Sequence, residues 1–498
     1  VAGPTMVGVL ALGCLAAGRA GGKTLGWAAG AGSGVLAALL NLLILGSLVS
    51  EHAGAASGVA SPEPGADGLT PSAGAAMAGF VALGLATGLL FGGVGGLSRP
   101  DPPHREAAWW ASRFAVLGAI SVVPLLLLGG LVTSTDSGLA VPDWPGTYGA
   151  NMFLYPIALM ADPRVFLEHT HRLFGSLVGL TTIAQAVFIW SVAPLRRPGG
   201  LAAPIGLAVV GSAPLLIGLS LHTGGSLGGM AFGGVAFGAA LVSLGVFGWS
   251  LWRGMASLAA ACLIVMVSAQ GVLGGTRVTE ASPLLGSIHG VLGQLFFASM
   301  ALFAAWMTPW ARARRTATQA PAAWTVKAAA VLLAALTLQL VLGALYRHGS
   351  AANPPSEVAG PALHGHMAFS ILVVVAAIVV GFAMVGQGAG PSAASEDRAE
   401  RLASRRCGLV GRLLVASVFV QFLLGWAAFA LVTGAGPRAV PTADELATAQ
   451  PVPVAEAVVT LAHQANGAGL LALAAAAIAW SGLALPMPRG RVAQPATT

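Results

Sequence analysis

Long apolar runs, each close to the length of a bilayer crossing, alternate with short polar stretches along almost the whole chain. A membrane-spanning helix needs about 20 apolar residues. Windows of that kind fall at 25–49, 76–97, 113–133, 171–193, 201–221, 226–251, 256–275, 287–308, 326–346, 365–386, 408–432 and 457–483. A shorter apolar stretch, Pro4 to Ala17, predicts a thirteenth span or the remains of one. No basic stretch precedes the first apolar run, so no cleavable signal is expected there. The pattern predicts an all-α polytopic membrane protein of about 12–13 spans.

Composition agrees with lipid as the solvent. Of 498 residues, 56% are hydrophobic and 8% charged, where a soluble domain carries about 25% charged residues. The 69 glycines lie mostly inside the apolar runs, where small residues let helix backbones approach. Cys14, Cys262 and Cys407 are scattered through apolar stretches and offer neither a disulfide framework nor a CxxC metal site.

The net charge of +7 reads as a topology signal, not as a nucleic-acid footprint. One set of loops holds Arg19 and Lys23, Arg99 to Arg113, Arg196 and Arg197, Arg253, Arg312 to Lys327, Arg398 to Arg412, and Arg489 with Arg491. The alternate set is acidic, with Glu51, Glu63, Asp67, Asp136 to Glu168, Glu280, Glu357 and Asp444 to Glu456. The positive-inside rule puts the first set in the cytoplasm and the second outside.

Four times an apolar helix ends in Leu-Gly on the outer side, and a helix opening with His follows. The ends are Leu128-Gly129-Gly130, Leu273-Gly274-Gly275, Leu342-Gly343 and Leu424-Gly425, three of them preceded by Gln270, Gln339 or Gln421. The following helices open with His171-x3-Gly175, His289-x3-Gly293, His366-x3-Ser370 and His463-x3-Gly467. Four hairpins of one design predict an eight-helix core of two duplicated four-helix halves. The expected organisation is additional spans in 1–110, one half in 111–310 with an inserted helix pair at 201–251, the second half in 311–486, and a cytoplasmic tail at 487–498.

Ionisable residues inside spans are costly and mark functional sites. A single histidine at a helix end is readily satisfied by loop backbone or water, but four at repeat-equivalent depth point to a shared task. Imidazole is the commonest metal ligand. Zinc wants three or four ligands on one point, whereas four histidines from four helices suit two sites of two ligands, as in bis-histidine haem. His364, two residues before His366, is an alternative ligand.

The first unit is richer, reading Glu168-His169-Thr170-His171-Arg172. Glu168 and His171 share a helix face at i,i+3 while His169 points elsewhere, and the spacing is not HExxH. Glu168 is placed either to cap a helix N-terminus or to move protons and hold cationic charge beside a bound substrate. Arg172 is open as a haem propionate partner or a snorkelling cation. The preceding loop, Thr133 to Pro145, is long enough for a lid, and Trp144 in it equally suits an interfacial anchor.

At these residues the chain resembles the haem A synthase family of cytochrome oxidase assembly. The carrying motifs are Gly129-Gly130, Ser137-Gly138-Leu139 with Asp143-Trp144-Pro145, Glu168-x-x-His171-Arg172, and the glutamine–glycine helix ends with their histidines. The resemblance covers about residues 113–483 without the inserted pair. It implies two haem sites toward the extracytoplasmic side of a bacterial plasma membrane. His171 and His289, with Arg172, would bind the substrate haem O, and Glu168 would be the catalytic carboxylate. His366 and His463 would ligate haem b as electron-transfer cofactor. The implied reaction oxidises a haem methyl group to a formyl group by successive hydroxylations. Implied partners are an external electron donor such as a ferredoxin, haem O synthase and cytochrome oxidase subunits. The chain departs from the family in having Thr133 where an Arg is usual, in the 201–251 pair with His222 at its outer turn, and in lacking a cysteine pair in the outer loops. Two rival readings stand beside it: a non-catalytic haem-binding cytochrome or assembly factor of the same fold, and a secondary transporter.

Overall fold

The computed structural model describes residues 2–45, 50–51, 68–69, 73–98, 100, 107–192, 255–309, 311, 323–390, 393–396, 398–436 and 438–481. The spans expected at 201–221 and 226–251, and His222 with them, lie outside the described residues. Helices dominate: α1 (Ala2–Leu45), α2 (Ala73–Leu97), α3 (Ala107–Ser134), α4 (Pro163–Val192), α5 (Met255–Thr279), α6 (Pro283–Met307), α7 (Ala323–Ser350), α8 (Ala359–Ala389), α9 (Arg398–Ala435) and α10 (Val454–Trp480). Among the described residues, ten helices are long and apolar enough to cross a membrane, so the chain is an all-α polytopic membrane protein. The strand content described is one antiparallel ribbon, Ser50–Glu51 with Gly68–Leu69.

The chain divides into two compact units, Val1–Glu106 with Pro145–Leu177, and Ala107–Trp144 with Val178–Thr498. In the first, α1 is 44 residues long, about 65 Å if straight and twice a bilayer core of about 30 Å. It does not run straight. Gly22, at φ 67° and ψ −164°, breaks the helical path, a conformation open to glycine because it has no Cβ. The stretch expected as a thirteenth span is thus the first arm of a bent helix. Beyond the bend, Gly26, Gly30 and Gly34 face Gly84, Gly88, Gly92 and Gly96 of α2 so closely that a Cβ at Gly30 or Gly34 would meet the α2 backbone. Spacing of four on both helices aligns the small residues along one seam, and backbone contact holds the pair.

In the second unit the helices α7, α8, α9 and α10 pack as a closed bundle, each against the next and α10 back on α7. The contacts of α3 with α6 and α10 mirror those of α7 with α10 and α6, the pairing that a duplicated four-helix design produces. Buried Leu332, Ala377, Met384, Leu414, Leu470 and Ala474 fill the bundle core, while Met300, Phe303, Trp306 and Trp190 fill the core around α3, α5 and α6. Trp480 closes one end, donating to Ala305 O at 3.1 Å, and Trp190 donates to Ser257 O at 3.2 Å. With those ends filled by apolar packing, the histidines gather at the opposite ends.

Candidate functional site

The sequence predicts that the repeat histidines open their helices, but His289, His366 and His463 lie about two turns inside α6, α8 and α10, each next to a glycine of the helix before. A Cβ on Gly274 would lie 3.1 Å from the His289 ring, on Gly343 3.0 Å from His366, and on Gly425 3.2 Å from His463. The small residue therefore makes the seat for each imidazole. His366 and His463 come together, ring centroids 6.2 Å apart and planes at 69°. Two imidazoles on opposite faces of one metal ion, each bonded through nitrogen at about 2 Å, place their centroids about 6 Å apart. The pair thus fits two axial ligands of one flat macrocycle. Among the described residues no group of three or more His, Cys, Asp or Glu is arranged to hold a metal ion. His364 is exposed.

Hydrogen bonds fix the two rings differently. His366 Nδ1 lies 2.9 Å from the Gln339 backbone carbonyl and donates to it, which leaves Nε2 with its lone pair for a metal. The Gln339 side chain returns a bond to the His366 carbonyl at 2.8 Å. Over His463 lies the side-chain amide of Gln421, its nitrogen 3.2 Å from Nδ1 and 3.3 Å from Nε2.

In the other unit, α4 carries Glu168, His169, His171 and Arg172 in its first turns. Glu168 is 2% exposed and its Oε1 pairs with Arg172 Nε at 3.2 Å. Arg172 also donates to Gly146 O at 3.0 Å, so its guanidinium joins the carboxylate to the loop. His169 is buried as well. Its Nδ1 meets Thr147 Oγ1 at 3.1 Å and its ring lies 5.7 Å from Tyr155, so it faces the loop while Glu168 and His171 take another face of the helix. His171 belongs to this unit and His289 to the other.

The expected lid divides likewise. Its first part is anchored on α5, where Arg277 donates to Gly138 O at 3.1 Å and the Trp144 ring occupies the space beside Gly275. Trp144 is therefore seated on the helix whose Gly274 supports His289.

Sequence reasoning missed a charged lattice at these ends. Arg347 bonds the Asp136 carboxylate and Thr133 O at 2.6 Å. Arg438 lies 3.8 Å from the other Asp136 oxygen and pairs with Glu456, two turns before His463 on α10. Asp136 and Glu456 are both buried. The signal was available: Arg277, Arg347 and Arg438 all fall at outer ends where the positive-inside rule predicts few cations. Farther out, the Thr442 backbone N–H and then its hydroxyl hold the Glu445 carboxyl below its usual value.

Residues 112–227 match the model of the COX15-CtaA family, described as cytochrome oxidase assembly protein. The match runs into the 201–251 segment that the repeat pattern sets apart. A haem A synthase from Lysinibacillus sphaericus is 33% identical over 136 residues, 25% of this chain and 42% of that protein. One from Hyphomonas neptunium is 26% identical over 147 residues, 23% of this chain and 42% of that protein, and one from Shouchella clausii is 33% identical over 79 residues. The chain spans about two fifths of the length of the first two relatives. No solved structure matches it. Over the matched segment, this chain is similar to the COX15-CtaA family of cytochrome oxidase assembly proteins and to haem A synthases.

Proposed function

We propose that the chain converts haem O to haem A at the extracytoplasmic side of the plasma membrane, oxidising a haem methyl group to a formyl group by successive hydroxylations. The observation that carries the reading is the His366–His463 pair, 6.2 Å apart on glycine seats, in a chain whose relatives are haem A synthases. In this reading the pair holds haem b, which when bound supplies one-electron transfer. An external donor such as a ferredoxin feeds it, and haem O synthase and cytochrome oxidase subunits stand on either side of the reaction.

His171 and His289 are the candidates for the substrate haem on the repeat pattern. Glu168, one helical turn from His171, has the chemistry to take up a proton or hold cationic charge where the methyl group is oxidised. Arg172 pairs with that carboxylate and holds it in place. The same ion pair favours a second reading, a haem-binding cytochrome of this fold, because a neutralised carboxylate also serves as a plain structural partner. Haem analysis of a Glu168→Gln protein, made where haem O is supplied, separates the two. The synthase reading expects haem b retained and haem A lost. Undiminished haem A removes Glu168 from the reaction.

A further inference from the structure

The charged lattice at the outer ends converges on one residue, Asp136, in the turn that ends α3. Ser137 N–H bonds Val132 O at 2.9 Å and Asp136 N–H reaches Thr133 O at 3.4 Å, the pairing of a helix end that usually places glycine at the left-handed position. Here that position is Asp136, at φ 54°. Aspartate is accepted there better than most residues but less well than glycine, so the choice of residue points to its side chain. The carboxylate bonds Arg347, in the last turn of α7, and lies 3.8 Å from Arg438, in the segment between α9 and α10. Arg347 also bonds Thr133 O, and Arg277 at the end of α5 holds Gly138 O. Three arginines from three elements thus grip the turn 133–138, all within one compact unit.

We propose that residues 133–144 are a latched lid over the outer end of α5, held shut by the Asp136 carboxylate between Arg347 and Arg438 and free to swing out once that carboxylate is released. The closed face is apolar: Ala140 and Val141 are 0% exposed, while Pro142 beside them faces solvent. At the far end Trp144 rests on Gly275, next to the glycine that seats His289. The burial of the partners suits a latch better than a permanent core pair. The Asp136 side chain is 8% exposed, whereas those of Arg347 and Arg438 are 32% and 29% exposed. When the carboxylate leaves, both cations meet water at once, so neither is stranded in an apolar interior. Arg438 also has a partner on α10, Glu456, and stays in place as the fixed half of the latch. Opening lifts Trp144 off α5 and clears the approach to His289. Latch and lid need no haem; only the use of that opening by a substrate haem rests on the proposed function.

The test puts a reporter cysteine under the lid, Ala140→Cys, in the purified full chain and follows its alkylation by a water-soluble maleimide. The chain without the reporter gives the background from Cys14, Cys262 and Cys407. With the latch intact the reporter is expected to react slowly; fast reaction shows that the lid is not closed and overturns the proposal. Adding Asp136→Asn keeps the size of the side chain and a residue type that accepts the left-handed backbone, yet removes the charge. It is expected to raise the rate at least about 10-fold, the equilibrium worth of one hydrogen bond to a charged group. Asp136→Gly eases the backbone and is expected to open the lid as far. A stabilised Gly variant with a slow reporter means that only the turn mattered, and overturns the latch. Arg347→Gln should give the same rise, and no further one when combined with Asp136→Asn, because both act on one contact. An unchanged rate in Asp136→Asn contradicts the latch. So does a lowered melting temperature without faster labelling, which makes the lattice a static brace. Should Ala140→Cys not fold, Val141→Cys takes its place, and should Asp136→Gly not fold, Asp136→Asn decides alone. Haem-free protein contradicts the proposed function and leaves the latch standing.

Discussion

The early turns of α4 and α10 carry one pattern, His-x3-Gly about two turns from the helix start, yet they surround their histidines with opposite chemistry. Near His463 the immediate partners are neutral amides and a glycine seat, and the nearest carboxylate on its own helix, Glu456, is bound to Arg438 two turns away. Beside His171 stands a buried ion pair, Glu168 with Arg172. A neutral, close shell suits a ligand that must hold one cofactor in one geometry. A buried charge suits a place where charge or protons change during reaction. On the proposed reading, one copy of the repeat holds the cofactor and the other does the chemistry.

The sharpest way to break this comparison is at the holding site. On the proposed haem reading, His463→Ala or His366→Ala is expected to abolish haem b binding, read from the haem spectrum of the purified protein. Retained haem b in both variants means the ligands lie elsewhere. At the reacting side, Glu168→Gln should leave haem b in place and lower haem A formation by at least about 100-fold, the usual scale for a lost acid–base group.

Arg172→Ala asks how far the ion pair is also structural. It removes the cation paired with a carboxylate that is 2% exposed, and breaking a buried pair costs about 3–5 kcal/mol. A clear fall in melting temperature in detergent is expected. An unchanged one means the pair adds nothing to stability. The mildest effect belongs to Arg438→Ala. Arg438 keeps about a third of its surface in solvent, and its loss should cost only about 1–3 kcal/mol, with haem b retained.

How much of this was legible follows from what each feature depends on. Span positions were readable because hydropathy and length decide them, and α3 to α10 lie where the apolar windows fall. The Leu-Gly and His-x3-Gly/Ser pattern was readable because the repeat prints it four times, but the close contact of Gly274, Gly343 and Gly425 with the imidazoles was not. The bend at Gly22 was not, since one glycine among many carries no mark of its backbone angle. The pairing of His366 with His463 also needed coordinates, because a helix turns by about 100° per residue and pairing depends on the facing helix. The Asp136, Arg347, Arg438 and Glu456 lattice joins residues more than 300 positions apart, and only the unexpected cations at the outer ends hinted at it. Gln421 was visible as a motif, but its bond to His463 was not.

The most direct measurement is chromatography of the haem extracted from the purified full chain, produced where haem O is available. The account predicts haem b together with haem O or haem A. Protein that carries no haem contradicts it and returns the transporter reading to the front.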